Sequence, residues 1–184
     1  GGNLTAQAGG NIAISAGKSS QTEDDRYYRK DSGFLSSSSR TIEDFVHQTS
    51  AQASSLGGKT ITVQAGQDLS VTGSHIVSDS GTTLVAGQNI TIEAAANTVN
   101  ETHFRESKTS GVFSSGGMGV TIGKQQQSLN QEGQNTSAAA STVGSIAGNT
   151  TIVAGGENTP TGSDVLAPKG SITISAQNIQ IQED

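Results

Sequence analysis

The sequence predicts an all-β fold, a parallel solenoid of roughly five coils interrupted by two longer hairpin-like excursions. Three observations carry that expectation. Aliphatic residues recur two apart in short segments, as in Ile61/Val63, Leu69/Val71 and Ile90/Ile92, with Thr, Ser or Gln between them; this is the period of a half-buried strand. Glycine-bearing turns separate the segments too closely for the crossover helices of an α/β fold. The lettering also repeats: slid back by 89 residues, 155–181 falls without a gap on 66–92, setting Gly162-Ser163 on Gly73-Ser74 and Gln177-Asn178-Ile179 on Gln88-Asn89-Ile90.

Taken in order, residues 1–17 hold two copies of Gly-Asn-[Leu/Ile]-x-x-x-Ala-Gly, eight residues apart and headed by Leu4 and Ile12. Each reads as a strand and a turn, with glycine expected where the backbone needs positive φ. The rhythm breaks over 18–56. There SGFLSSSSR reads as a turn or loop flanked by hairpin strands, and TIEDFVHQTSAQA as a strand or, given Thr41 ahead of Asp44, a capped helix. It resumes over 57–95, breaks again over 96–146, and returns over 147–182. Ser32-Gly33-Phe34 resembles Ser110-Gly111-Val112-Phe113, so the two interruptions are related. The chain is thus expected to be one solenoid segment, 1–184, of a longer chain, with shaft 1–17, 57–95 and 147–182 and excursions 18–56 and 96–146. Pairing each strand with its equivalent one coil on gives parallel ladders rising about 4.8 Å per coil, a rod of about 25 Å. The inward positions are then Leu4, Ile12, Ile14, Ile61, Val63, Leu69, Val71, Ile76, Ile90, Ile92, Ile152, Val165, Ile172, Ile174, Ile179 and Ile181. Pro160 and Pro168 are placed in turns, and Asn89 and Asn178 in a stacked-amide or turn role.

Composition agrees with a narrow core and limits the function. Aromatics are 3% of the chain, with no Trp and 24 Gly, so the core must be built from Ile, Leu, Val and Ala. All six aromatics (two Tyr, four Phe) and eight of the ten Lys and Arg lie in the two interruptions. A net charge of −6 without a basic stripe argues against a nucleic-acid partner. The absence of Cys excludes disulfides and thiolate metal sites and suits a chain that crosses membranes unfolded. No long apolar run is present, so no stable membrane span is expected, and no export signal; an exported protein would have to be longer than this.

The phrases SGVFSSGGMGVTIG (110–123), VGSIAGNTTIVAG (143–155), GSDV (162–165) and KGSITISAQNIQI (169–181) resemble the haemagglutinin repeats of two-partner-secretion exoproteins, the filamentous haemagglutinins and contact-dependent growth-inhibition toxins. SGFLSSSS in the first excursion departs from that pattern. The resemblance implies a right-handed parallel β-helix within a long stalk, secreted to the bacterial cell surface through an outer-membrane partner barrel that acts on another region. It also implies contact with a host-cell or target-bacterium surface, for adhesion or for delivery of a C-terminal toxin.

Motifs for chemistry fail on required residues. GGMGVTIGK (116–124) lacks the Asp of a calcium nonapeptide, having Thr121 there, and lacks the spacing and the Ser/Thr of a phosphate loop. His47, His75 and His103 are isolated in sequence. There is no G-x-S-x-G elbow. The enzymatic rival is a β-helix acting on polysaccharides with grouped carboxylates, and the shaft offers only Asp68, Asp79, Glu93, Glu157 and Asp164. No catalytic residue, metal ligand or cofactor is therefore assigned. The candidate contact residues are Tyr27, Tyr28 and Arg29 of EDDRYYRKD, with Phe34, Phe45, Phe104 and Phe113: aromatics beside charges, as at many interfaces. The rival reading is that these aromatics merely pack against the shaft, which then serves as a passive spacer.

Overall fold

A computed structural model describes residues 1–114 and 120–183, with side chains from 113 to 121 left out of account. It is all-β: sixteen strands and, among the described residues, no helix, hence none long and apolar enough to cross a membrane. Two compact units form. The first comprises 1–19, 50–97 and 137–184, the second 20–49 and 98–136.

The first unit holds two parallel sheets. One contains β1 (Leu4–Ala8), β5 (Ser55–Ala65), β7 (His75–Ala86), β11 (Thr142–Ser145), β12 (Asn149–Ala154), β14 (Asp164–Leu166) and β15 (Ile172–Ser175). The other runs β2 (Ile12–Ser15), β6 (Leu69–Thr72), β8 (Ile90–Glu93), β13 (Glu157–Thr161) and β16 (Asn178–Ile179). Registers align like with like. One column is Ala6, Val63, Leu84, Ile152 and Ile174, and beside it stand Ala8, Ala65, Ala86 and Ala154. A third is Ile12, Leu69, Ile90, Asn158 and Ile179. A fourth is Leu56, Ile76, Val143 and Val165. The 89-residue repeat is two steps of this ladder, Ile90 to Asn158 to Ile179, rather than one.

The core follows from those columns. Ile61, Val63, Leu69, Val71, Ile76, Ile90, Ile92 and Ile152 are fully buried, joined by Leu84 and Val143. Each such side chain contributes about 1.5–3 kcal/mol by leaving water. Leu4, Ile12, Ile14, Val165 and Ile174 are only partly buried. Ile172, Ile179 and Ile181, expected inside, are exposed: β15, which holds Ile172, and β16, which holds Ile179, each pair on one side only among the described residues. Pro160 lies within β13 opposite Ile92, not in a turn. Its ring is buried in the Ile14–Val71–Ile92 column while its carbonyl accepts from Gln182 N at 3.0 Å. Pro168 does sit in a turn.

The turn glycines serve mostly by close approach. A Cβ on Gly87 would collide with the carbonyl oxygen of Gly66 in the adjacent turn, and one on Gly155 with that of Gly87. The expected positive φ is absent from Gly9 and Gly10; it occurs at Gly73 (56°) and Gly162 (52°), equivalent positions in the repeat. Of the two roles expected of Asn89, the structure shows the one in a turn, bridging neighbouring turns through a carboxylate and a backbone N–H. Its Nδ2 and N donate to Asp68 Oδ1 (both 3.1 Å), and its Oδ1 accepts from Glu157 N (2.9 Å).

The second unit is built from β3 (Gly17–Ser32), β4 (Ser36–Gln52), β9 (Ala95–Ser114) and β10 (Val120–Ala139), in the order β10-β9-β4-β3. β4 and β9 are antiparallel over Ser36–Thr49 and Thr98–Gly111, so the two excursions share one sheet, with Ser110 and Gly111 opposite Ser37 and Ser36. The helix expected as one alternative for TIEDFVHQTSAQA is a strand instead. Its Thr and Val side chains favour the pleat, and a long partner strand is available to saturate its backbone.

Candidate interaction surface

Period two sorts the side chains of the antiparallel sheet onto two faces. Register places Glu43 opposite Phe104, Phe45 opposite Thr102 and Asp44 opposite His103. On the first face Asp24, Arg26, Glu43, Phe45, Thr102 and Phe104 surround a depression of about 250 Å³. Arg26 donates to Asp24 through Nε (3.0 Å) and Nη2 (3.2 Å). Further along, Lys30, Lys108 and Lys124 with Ser37, Ser39 and Ser110 line a second depression of about 260 Å³, where the Ser37 and Ser110 hydroxyls meet at 2.8 Å. Three cations converge there and only Lys108 has a carboxylate, Glu106 at 2.7 Å, among the described residues.

The predicted contact residues are distributed rather than clustered. Tyr27 and Tyr28, adjacent in one strand, point to opposite faces, at 50% and 65% exposure. Arg29 shares the Tyr27 face and is held to Asp31 at 2.8 Å. The Asp31 hydrogen bond and charge, with a further hydrogen bond to Tyr27, raise its pKa. Phe34 is in the β3–β4 turn, which Gly33 N closes by donating to Ser36 O (2.7 Å), and its ring is 99% exposed. Phe45 and Phe104 alone come together, lining one depression. The Phe113 side chain lies outside the described residues, as do residues 116–119 of the GGMGVTIGK stretch. Tyr27, Tyr28 and Phe34 are thus exposed rather than buried in a core.

Sequence reading missed one cluster on the second face. His103 Nδ1 is 2.7 Å from Asp44 Oδ1 and its Nε2 3.7 Å from Glu101 Oε2. The Asp44 hydrogen bond raises the imidazole pKa above its ordinary value; burial opposes it, and the charge of Asp44 and then the hydrogen bond and charge of Glu101 add to the rise. The signal was available as an alternation, since Glu101 and His103 are two apart on β9, but the Asp44 partner is 59 residues away. His47 bonds Thr22 Oγ1 at 2.9 Å. No group of three His, Cys, Asp or Glu among the described residues is arranged to hold a metal ion.

The shaft acids are not grouped by the ladder. Asp68 faces Asn89 and Asn89 faces Glu157, while Glu93 faces Thr72 and Thr161, and Asp164 faces Thr142. Asp68 and Glu93 are engaged in structural hydrogen bonds, Glu93 with Thr72 Oγ1 at 2.9 Å.

Comparison with known proteins agrees with this architecture. A family model described as hemagglutinin repeat matches residues 32–183. The chain is similar to a tRNA nuclease CdiA of Yersinia mollaretii, 39% identical over 98% of this chain and 6% of the relative. A tRNA nuclease CdiA of Escherichia coli strain STEC_O31 is 35% identical over 95% of the chain and 6% of the relative. A 16S rRNA endonuclease CdiA of Enterobacter cloacae is 38% identical over 93% and 5%. The chain thus spans about one-twentieth of the length of these relatives. No solved structure gives a significant match. The chain belongs to the hemagglutinin-repeat family.

Proposed function

We propose that the chain is a stalk segment of a secreted bacterial cell-surface exoprotein, in which the parallel unit is scaffold and the antiparallel sheet touches the contacted cell. The scaffold is a right-handed parallel β-helix of five coils, one segment of a much longer chain. Its shaft spans 1–17, 57–95 and 147–182, and the sheet is inserted between coils in two pieces. The exoprotein reaches the surface through an outer-membrane partner barrel that engages another region. Relatives named as nucleases and toxins favour delivery of a C-terminal toxin over adhesion alone. The segment itself does no chemistry.

One observation carries the assignment of contact to the sheet: Tyr27, Tyr28 and Phe34 are held exposed on it, at no benefit to a core. Exposed aromatics on a rigid ladder bind with little loss of side-chain entropy. The test is Tyr27→Ala, Tyr28→Ala and Phe34→Ala together in the full-length exoprotein. Surface display should be unchanged and inhibition of the contacted cell reduced; unchanged inhibition would leave the segment a passive spacer.

A further inference from the structure

The two outer strands of the antiparallel sheet are unlike. β3 carries eight charged residues in 16 positions, seven of them between Glu23 and Asp31. Charge at that density is the usual protection of an open strand edge against pairing. β10 has 20 positions and only two charges, Lys124 and Glu132, in a run rich in Gln, Asn and Ser. Among the described residues it pairs with β9 alone, and every residue from Lys124 to Ala138 is exposed. Its outer row of backbone donors and acceptors is thus uncovered and unprotected.

We propose that β10 is a self-pairing edge, joining antiparallel to β10 of a second copy of this chain about a two-fold axis at Ser128. The sequence of the strand selects that register. Centring on Ser128 sets Lys124 opposite the second copy's Glu132, Gln126 opposite its Asn130 and Gln125 opposite its Gln131, and symmetry repeats each pair. Every other two-fold register leaves both charges without an opposite partner. Centring on Lys124 or Glu132 places like charges face to face. Within one copy the two charges are poorly satisfied. Lys124 has no carboxylate among the described residues and stands with Lys30 and Lys108 around one depression. Among the described residues Glu132 meets only Asn130 Nδ2, at 3.5 Å. Cross-strand neighbours share a face, so the incoming Glu132 would reach the depression that lacks negative charge. The product is one eight-stranded antiparallel sheet, four strands from each copy.

This rests on the sheet being a contact surface, but its test needs no target cell and so fails or succeeds independently of delivery. The chain has no cysteine, so Ser128→Cys introduces a single thiol at the axis. Opposed residues in an antiparallel pair have Cα atoms about 4.5–5.5 Å apart, within disulfide reach. Mild oxidation of Ser128→Cys should give a covalent dimer, while Asn135→Cys, opposite Thr121 in this register, should not. A monomer at every concentration in sedimentation, or equal cross-linking of the two variants, would overturn the proposal. Lys124→Glu should lower the dimer fraction several-fold, and adding Glu132→Lys should restore it. Failure of that restoration, with both variants showing the parental circular dichroism, would overturn the register.

Discussion

The parallel unit and the antiparallel sheet are made of the same short polar vocabulary, yet they are stabilised differently. Every fully buried side chain among the described residues belongs to the parallel unit. The sheet has none; its strands are held by backbone ladders and cross-strand pairs such as Ser37–Ser110 and Asp44–His103. A residue in the buried columns of the first unit is constrained by the side chains packed against it, whereas one in the sheet has no fully buried neighbour to constrain it. The sheet is therefore free to vary its surface chemistry, and aromatic residues are found only in its two contributing excursions.

Substitution should expose this contrast, most strongly in the core. Ile92→Ala empties a fully buried position in the middle of its column and should cost about 2–5 kcal/mol in denaturant unfolding. Phe45→Ala on the sheet should change stability by no more than about 1 kcal/mol; a loss as large as that of Ile92→Ala would place a hidden core beneath the sheet. Gly87→Ala drives a methyl into the Gly66 carbonyl and should cost about 1–3 kcal/mol by the same measurement. Asn158 works the other way. It interrupts the Ile12–Leu69–Ile90–Ile179 column fully buried, with neither side-chain amide atom hydrogen-bonded. Asn158→Leu should raise stability by about 1–3 kcal/mol, the desolvation cost of an unpaired buried amide.

The smallest expected effect is on pH dependence, and it should be confined to the sheet. The Asp44 hydrogen bond raises the His103 pKa in the folded state. A raised folded value means that the contribution is complete below the ordinary histidine pKa, near about 6.5, and is lost as pH rises through the higher folded value. The two tyrosines, Tyr27 and Tyr28, are both on β3, and the chain has no Trp, so tyrosine fluorescence reports the sheet. The melting temperature followed this way should fall as pH rises above about 6.5. His103→Gln should flatten the trend; an unchanged slope would show that the pair carries no weight.

Much of the parallel unit was legible because its signals are local: Ile61/Val63 and Ile90/Ile92 announce strand faces within three residues. Leu84 and Val143 escaped because their stretches, GTTLVAG and STVGSIAG, offer no clean alternating aliphatic pair. Ile172 and Ile179 were misplaced because burial depends on a neighbouring strand, which one strand's pattern does not encode. Pro160 shows the same limit, since a residue that breaks most strands fits where only its carbonyl is called on. The surface was legible as composition and illegible as geometry. EDDRYYRKD identified Tyr27 and Tyr28 but not their assignment to opposite faces, and the Asp44–His103 pair depends on a register set 59 residues apart.

The division of labour between the units is tested most directly by removing the sheet. Residues 20–49 and 98–136 would be deleted together from the full-length exoprotein, each gap closed by a short glycine turn, and inhibition of contacted cells measured per displayed molecule. The deletions leave every buried core residue in place. Display at the parental level with inhibition lost is the predicted result. Parental inhibition without the sheet would contradict the account and return the segment to a spacer.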